Sequence, residues 1–298
     1  MRILSLLPAA TEIVYLLGLE KYLVGVSHEC DFPAEVKGKL KVTSADISNA
    51  MSSKEIDQRV KKVGHSGRGV FHIKEGVLKK LRPDLILTQE LCEVCALGFT
   101  AVRKAARILE GEVKIISLEP QSVEDILKNI MLIGEATGSR QQARKVVRGL
   151  RNRIRNLKLE VRNSTKPKVC VIEWLDPIMV AGHWVPQMVE IAGGDNLLAK
   201  RGEQSKAVKI DQIKSVKVDI LIISPCGFDI KRIIKEEKLV VDIMKQVKHT
   251  GSKAYLMDGA SFMTRPGPRI VDGAEILAEI LHPEIFKRKH AEKDWRSL

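Results

Sequence analysis

The sequence predicts an α/β protein of two similar, Rossmann-like lobes joined by a single long helix. Three observations carry this expectation. Short apolar, β-branched runs alternate with helical patterns along most of the 298 residues, the signature of a sheet covered by helices. One plan occurs twice: a strand and polar loop lead into Thr11-Glu12-Ile13-Val14-Tyr15-Leu16-Leu17-Gly18, with Lys80-Leu81-Arg82-Pro83-Asp84-Leu85-Ile86-Leu87-Thr88 following later. In the second half a strand and loop lead into Gln187-Met188-Val189-Glu190-Ile191-Ala192-Gly193-Gly194, followed by Ser215-Val216-Lys217-Val218-Asp219-Ile220-Leu221-Ile222-Ile223. Between the copies lies a helical stretch of about residues 122–163.

Strands are expected near residues 2–6, 22–26, 84–88 and 113–117 in the first lobe, and near 168–173, 219–224 and 254–257 in the second. Most are followed by a Gly, Pro, Ser or Cys loop and then a helix. The expected boundaries are 1–120 for the first lobe, 121–165 for the connecting helix and 166–298 for the second lobe. Ser122 and Asp125 make a capping-box-like helix start, and Gly138-Ser139 marks a break or restart. Beyond it Val147, Leu150, Ile154, Leu157 and Val161 form one apolar stripe at intervals of three and four. Arg144, Lys145, Arg148, Arg151, Arg153, Arg155, Lys158 and Arg162 occupy the other positions. That basic face reads as a solvated helix surface, with phosphate binding as the alternative.

A chain of this length buries about 75% of its unfolded surface, and 44% hydrophobic residues exclude the fibrous and disordered classes. Lys and Arg number 50 against 37 Asp and Glu, a formal charge of +13. The charge raises nucleic acid or an anionic membrane as partners, but only 4% of residues are aromatic, poor material for stacking on bases, so no nucleic acid is expected. The start Met1-Arg2-Ile3-Leu4-Ser5-Leu6-Leu7-Pro8 does not read as a signal peptide, and no apolar run reaches the roughly 18 to 20 residues that span a bilayer. The expectation is a cytoplasmic monomer, or a periplasmic or cell-surface protein if an export signal was trimmed. Five cysteines suit a reducing compartment.

Ligands of open α/β sheets bind beyond the carboxyl ends of the strands, which selects the loops to inspect. They hold Glu12, Glu29, Asp31, Glu90, Glu93, Glu173, Asp176, Asp229 and Asp258 against only Arg265 and Arg269. They also hold Trp174, Trp184, Phe228 and Phe262, flat apolar surface that either plugs loops onto the core or meets a large, partly apolar ligand. Cys92-Glu93-Val94-Cys95 has a spacing that lets two thiolates grip one metal, with His28 and Cys30 able to complete a tetrahedral Zn-type set. A redox pair and two packed apolar cysteines are the other readings. His183, in the loop Gly182-His183-Trp184-Val185-Pro186, is either a metal ligand or an ordinary hydrogen-bonding side chain. Ser66-Gly67-Arg68-Gly69 follows no strand and is not read as a phosphate loop. The chain contains no Walker A sequence, no G-x-S-x-G elbow and no H-E-x-x-H.

These residues point to a family. Arg2 through Glu12, then Leu17-Gly18, Leu23-Val24-Gly25-Val26 and Leu81-Arg82-Pro83-Asp84-Leu85-Ile86, resemble the first lobe of the class III iron-siderophore and vitamin B12 substrate-binding proteins. Ala192-Gly193-Gly194-Asp195-Asn196-Leu197 and the 219–224 strand resemble the second. The segments Ser27-His28-Glu29-Cys30-Asp31, Cys92-Glu93-Val94-Cys95, Glu173-Trp174-Leu175-Asp176-Pro177, Gly182 to Pro186 and Arg265-Pro266-Gly267-Pro268-Arg269 resemble a cobalamin-binding subgroup. The resemblance implies ligand held in a cleft between the lobes, and delivery to an ABC permease docked through an acid on each lobe; Glu75 and Asp211 lie at or near those places.

The acidic loops help to choose the ligand. Anionic ferric siderophores are usually held by Arg or Lys, whereas a corrinoid offers a cationic metal-containing ring, apolar faces and amide donors. The expectation is therefore a binding protein, not an enzyme, for cobalamin or another corrinoid or metal chelate. Its expected ligand-binding residues are Pro8, Glu12, His28, Glu90, Trp174, Asp176, His183, Trp184, Phe228, Phe262 and Arg265, with Glu173 among the polar contacts. The alternative is a metal-dependent enzyme or metal-trafficking protein holding Zn or Fe through Cys92, Cys95, Cys30 and His28.

Overall fold

Continuous apolar runs make the central strands, as expected where both faces of a parallel sheet are covered: Leu85, Ile86 and Leu87 in one half, and Ile220 to Ile223 in the other, are all buried. The computed structural model describes residues 1–64, 69–89, 99–107, 109, 112–247 and 251–298. The chain divides into two units, one of Met1–Met51, Glu55–Pro120 and Asp125–Val147, the other of Ser52–Lys54, Gln121–Glu124 and Arg148–Leu298.

The first unit contains β1 (Ile3–Ser5), α1 (Pro8–Leu16), β2 (Leu23–Val26), β3 (Thr43–Ala45), most of α2 (Ser53–Gly64), β4 (Phe71–Ile73), α3 (Glu75–Leu81), β5 (Leu85–Thr88), α4 (Phe99–Ala106), β6 (Lys114–Ser117) and most of α5 (Val123–Ala136). Its main sheet is parallel, in the order β2-β1-β5-β6, and β3 and β4 form a separate antiparallel pair. Pro8 stands in the first turn of α1, where its missing N–H has no partner to lose.

Helix α6 (Arg140–Glu160) runs across the division between the units. The 122–163 stretch is thus two helices, broken at Gly138, whose φ of 73° ends α5 at low steric cost. The α5–α6 crossing is close enough that a Cβ on Gly134 would lie 2.4 Å from Ala143 Cβ. Of the predicted stripe, Val147, Leu150, Leu157 and Val161 are buried. The basic face is not wholly solvated: Arg153 donates through Nε to Glu275 Oε1 (2.9 Å) and through Nη2 to Glu275 Oε2 (2.7 Å) and to Asp272.

The second unit contains β7 (Lys168–Trp174), β8 (Met179–Val180), α7 (Val185–Ile191), β9 (Asp195–Asn196), β10 (Lys206–Ala207), α8 (Ile210–Ser215), β11 (Ile220–Ile223), α9 (Ile230–Ile234), α10 (Glu237–Val247), β12 (Lys253–Met257), α11 (Gly259–Phe262), α12 (Ile270–Leu281) and β13 (Trp295–Ser297). Strands β9, β7, β11 and β12 repeat the parallel order of the first sheet, and β8, β10 and β13 extend it antiparallel. The duplicated sequence plan is thus a duplicated strand order. The C-terminal segment closes the β12 edge and is clamped by buried Glu279, which accepts from Lys289 N (3.0 Å), His290 Nδ1 (2.9 Å) and Trp295 Nε1 (3.1 Å).

Candidate functional site

In each parallel sheet the first strand has its successor on one side and the third strand on the other. Chain order therefore reverses between β1 and β5 and between β7 and β11, and the carboxyl ends of strands at such a point form the ligand crevice of open α/β sheets.

In the second unit, β7 ends on Glu173-Trp174 and β11 runs into Ser224-Pro225-Cys226. A bond from Cys226 N–H to Glu173 O (2.9 Å) ties the two ends together. The half-buried Trp174 ring stands 5.4 Å from Phe228 at 53°, and the Arg232 guanidinium lies 3.9 Å from the Phe228 centroid. Arg232 pairs with Glu236 at 2.8 Å, both almost wholly buried. Trp174 Nε1 and Ser224 Oγ are buried with no hydrogen-bond partner among the described residues. Buried polar atoms are rarely left so, and two of them stand at this reversal point.

The loop after β12 begins with buried Asp258, whose Oδ1 accepts from Ser261 N (2.8 Å) and caps α11. Burial pushes this carboxyl above its ordinary value. The Asp229 charge adds to the rise, and the Ser261 bonds and the Arg265 charge oppose it. Gly259 N–H bonds Phe228 O (3.0 Å), and Asp258 N–H bonds Asp294 O (2.9 Å) in the C-terminal segment. Phe262 is half-buried, edge-on to His290 at 6.4 Å, with the Arg269 guanidinium 5.7 Å from its centroid. Arg265 and Asp176 are half-buried. Asp229 caps α9, its carboxylate accepting from Arg232 N at 2.7 Å.

Trp184 was expected to offer a ring face, but it is only 4% exposed, with Nε1 donating to Met263 O at 2.8 Å. It packs at the start of α7. Phe228, at 3% exposed, likewise backs Trp174. His183 adopts φ 53°, in the left-handed region. Its N–H bonds Glu203 O (2.6 Å), its carbonyl accepts from Gly202 N (2.9 Å), and its ring lies 5.7 Å from Trp184. Ring Nδ1 meets Gln121 Oε1 at 2.9 Å, and burial lowers the ring's pKa.

In the first unit, Pro8 is half-buried and Glu12 is buried in α1. His28 Nδ1 lies 2.6 Å from Thr43 Oγ1 and its ring 5.6 Å from Phe71. Burial, with Lys74 and Lys41 nearby, lowers its pKa. Cys30 Sγ lies 3.1 Å from Thr11 Oγ1, in the core. Glu90, Cys92 and Cys95 lie outside the described residues, among which no group of three His, Cys, Asp or Glu is placed to hold a metal ion. Glu75 opens α3 and is exposed; Asp211, in the first turn of α8, has an 85% exposed side chain 3.5 Å from Lys214 Nζ.

Sequence reasoning missed Arg232 and Gln121. Arg232 lies inside α9 rather than in a strand-end loop, so the count of two arginines overlooked a buried cation beside Phe228. Gln121 is one polar residue in a connection, without a pattern to mark it.

Comparison with known proteins agrees with this architecture. The model of the family described as "Periplasmic binding protein" matches residues 3–246. The chain is 28% identical over 293 residues to an uncharacterized ABC transporter substrate-binding lipoprotein of Bacillus subtilis (strain 168), covering 96% of this chain and 81% of that protein. It is 22% identical to a vitamin B12-binding protein of Vibrio parahaemolyticus, covering 97% and 91%. Among solved structures, a periplasmic heme binding protein from Pseudomonas aeruginosa superposes with a TM-score of 0.73 at 18% identity, covering 99% and 97% of the two chains. The periplasmic vitamin B12 binding protein of Vibrio cholerae gives 0.67 at 20%, covering 95% and 96%. The relatives are described as periplasmic or as a lipoprotein, so the cytoplasmic expectation has no support among them. Their descriptions are of binding proteins, which sets aside the metal-dependent enzyme. The chain belongs to the periplasmic binding protein family, class III.

Proposed function

We propose that this binding protein takes up a corrinoid, with cobalamin as the leading candidate, at the carboxyl edges of its sheets. The observation that carries the reading is Trp174, a half-buried ring whose N–H has no acceptor among the described residues, at the order reversal between β7 and β11. A ligand with flat apolar surface supplies a partner for the part of the ring left uncovered, and amide side arms meet the polar groups around it. Phe262, Asp176 and Arg265 are half-buried around the same edge, where carboxylates accept from amide N–H groups. The one added cation, Arg232, is already paired with Glu236, which leaves little for an anionic siderophore. Pro8, His28 and Glu90 are the first unit's contributors in this reading; Glu12, at 4% exposed, is set aside with Trp184 and Phe228. Glu75 and Asp211 dock an ABC permease, and the protein works outside the cytoplasm, as its relatives' descriptions suggest. The vitamin B12-binding relative matched over 97% of the chain supports the choice of ligand.

The test is to mix purified protein with cobalamin at micromolar concentration, desalt, and read visible absorbance. Co-elution of colour with protein supports the reading; colourless protein overturns it.

A further inference from the structure

Helix α6 carries a row of cations that its folding does not require. Within the second unit Arg148, Arg151, Arg155 and Lys158 follow at intervals of three, four and three, and all four are exposed. At 3.6 residues per turn that spacing keeps them inside an arc of about 80°. Arg162, exposed in the turn after the helix, continues the spacing, so the row runs for about 20 Å. Leu150, Leu157 and Val161 are buried on the adjoining side. Glu160, the only acid of α6, lies on the side away from the row. Arg151 pairs with Glu124, and the other four have no ion pair among the described residues. Like charges three and four residues apart oppose helix formation, so the row costs the isolated chain stability.

We propose that this row docks along an anionic phospholipid surface. A straight line of Arg and Lys heads matches a plane of phosphate groups, to which each cation adds attraction. Leu159, 54% exposed, stands four residues from Arg155 on the flank of the row. There an apolar side chain enters the headgroup layer of a bilayer, whereas a nucleic-acid backbone offers it only phosphate and water. No aromatic residue occurs between positions 140 and 168, so nothing along the row stacks on bases. The row's charge acts whatever ligand the strand-end loops take.

The experiment is co-sedimentation of the full chain with vesicles of phosphatidylcholine, alone or mixed with phosphatidylglycerol. Wild type is expected to sediment with the mixed vesicles, to stay in solution with the neutral ones, and to be released as salt screens the contact. Arg148→Gln, Arg155→Gln and Lys158→Gln together should lower the vesicle partition coefficient by about 100-fold, about fivefold for each cation. Thermal stability should hold or rise in that variant, because like-charge pairs are removed. Lys235→Gln, Lys238→Gln and Lys245→Gln together remove the same charge from exposed positions elsewhere in the second unit and should leave partition nearly unchanged. Wild type that stays in solution with the mixed vesicles overturns the proposal. Equal loss in the two triple variants also overturns it, by tracing the binding to net charge. A random DNA duplex bound more tightly than the mixed vesicles at the same ionic strength overturns it as well and assigns the row to nucleic acid.

Discussion

Replacing Trp174 by Phe separates the two roles its surroundings assign to it. In the free protein the indole Nε1 is buried without an acceptor among the described residues, a state that costs about 1–3 kcal/mol. Phenylalanine removes that donor. It also removes two ring carbons, worth about 0.8 kcal/mol each when fully buried, and less here because the ring is half-buried. The ring pair with Phe228 at 5.4 Å, worth about 0.5–1.5 kcal/mol, is largely kept by another aromatic ring. The opposing terms nearly cancel, so the unliganded Trp174→Phe protein should lie within about 1 kcal/mol of wild type in urea denaturation followed by circular dichroism. Under the proposed corrinoid binding, affinity should weaken, because the smaller ring presents less flat apolar surface to the ligand. About 0.5–1.5 kcal/mol of ring contact corresponds to roughly 2- to 12-fold in Kd. A stability loss above about 3 kcal/mol, with corrinoid affinity unchanged, would show that the indole N–H is a satisfied structural group and refute the reasoning.

Three further outcomes follow from the same geometry. Because burial raises the Asp258 pKa in the folded state, its contribution to stability is present at low pH and is lost as pH rises from 3.8 through the raised value. Asp258→Asn, which still caps α11, should gain stability relative to wild type across that window, and a difference that stays constant with pH contradicts the assignment. Arg153→Ala, which breaks the link from α6 to Asp272 and Glu275, should cost about 1 kcal/mol, discounted for partial exposure, and less in high salt; no change at low salt would contradict the link. Glu279→Ala leaves Trp295 Nε1 and Lys289 N without their acceptor at a cost of about 1.5–3 kcal/mol, so limited proteolysis should cleave the C-terminal segment earlier, whereas a tail as resistant as wild type would show that other contacts hold it.

The central parallel strands were legible in the sequence because both faces of each are buried, leaving uninterrupted runs such as Ile220 to Ile223. The peripheral strands were not. β8, β9 and β10 are two residues each, and β13 is Trp295-Arg296-Ser297, in which only Trp295 is buried; none has enough residues to show an alternation. Gly138 was legible as a break, yet whether it bent one helix or ended it depended on a backbone angle. At the site, composition marked the aromatic residues at strand ends but could not rank them. Trp174 and Trp184 look alike in sequence, and only the bond from Trp184 to Met263 O distinguishes a core ring from one with a free N–H. The acids divided similarly: Asp229 and Asp258 cap helices, a local role that a count of carboxylates in loops cannot reveal.

The central claim is that the chain binds a corrinoid at the carboxyl edges of its sheets, and equilibrium titration with cobalamin, monitored by calorimetry, tests it most directly. The account predicts saturable binding of one cobalamin per chain at micromolar Kd or tighter, weakened by Trp174→Phe. Absence of saturable heat with cobalamin, with a ferric siderophore binding in its place, would contradict it.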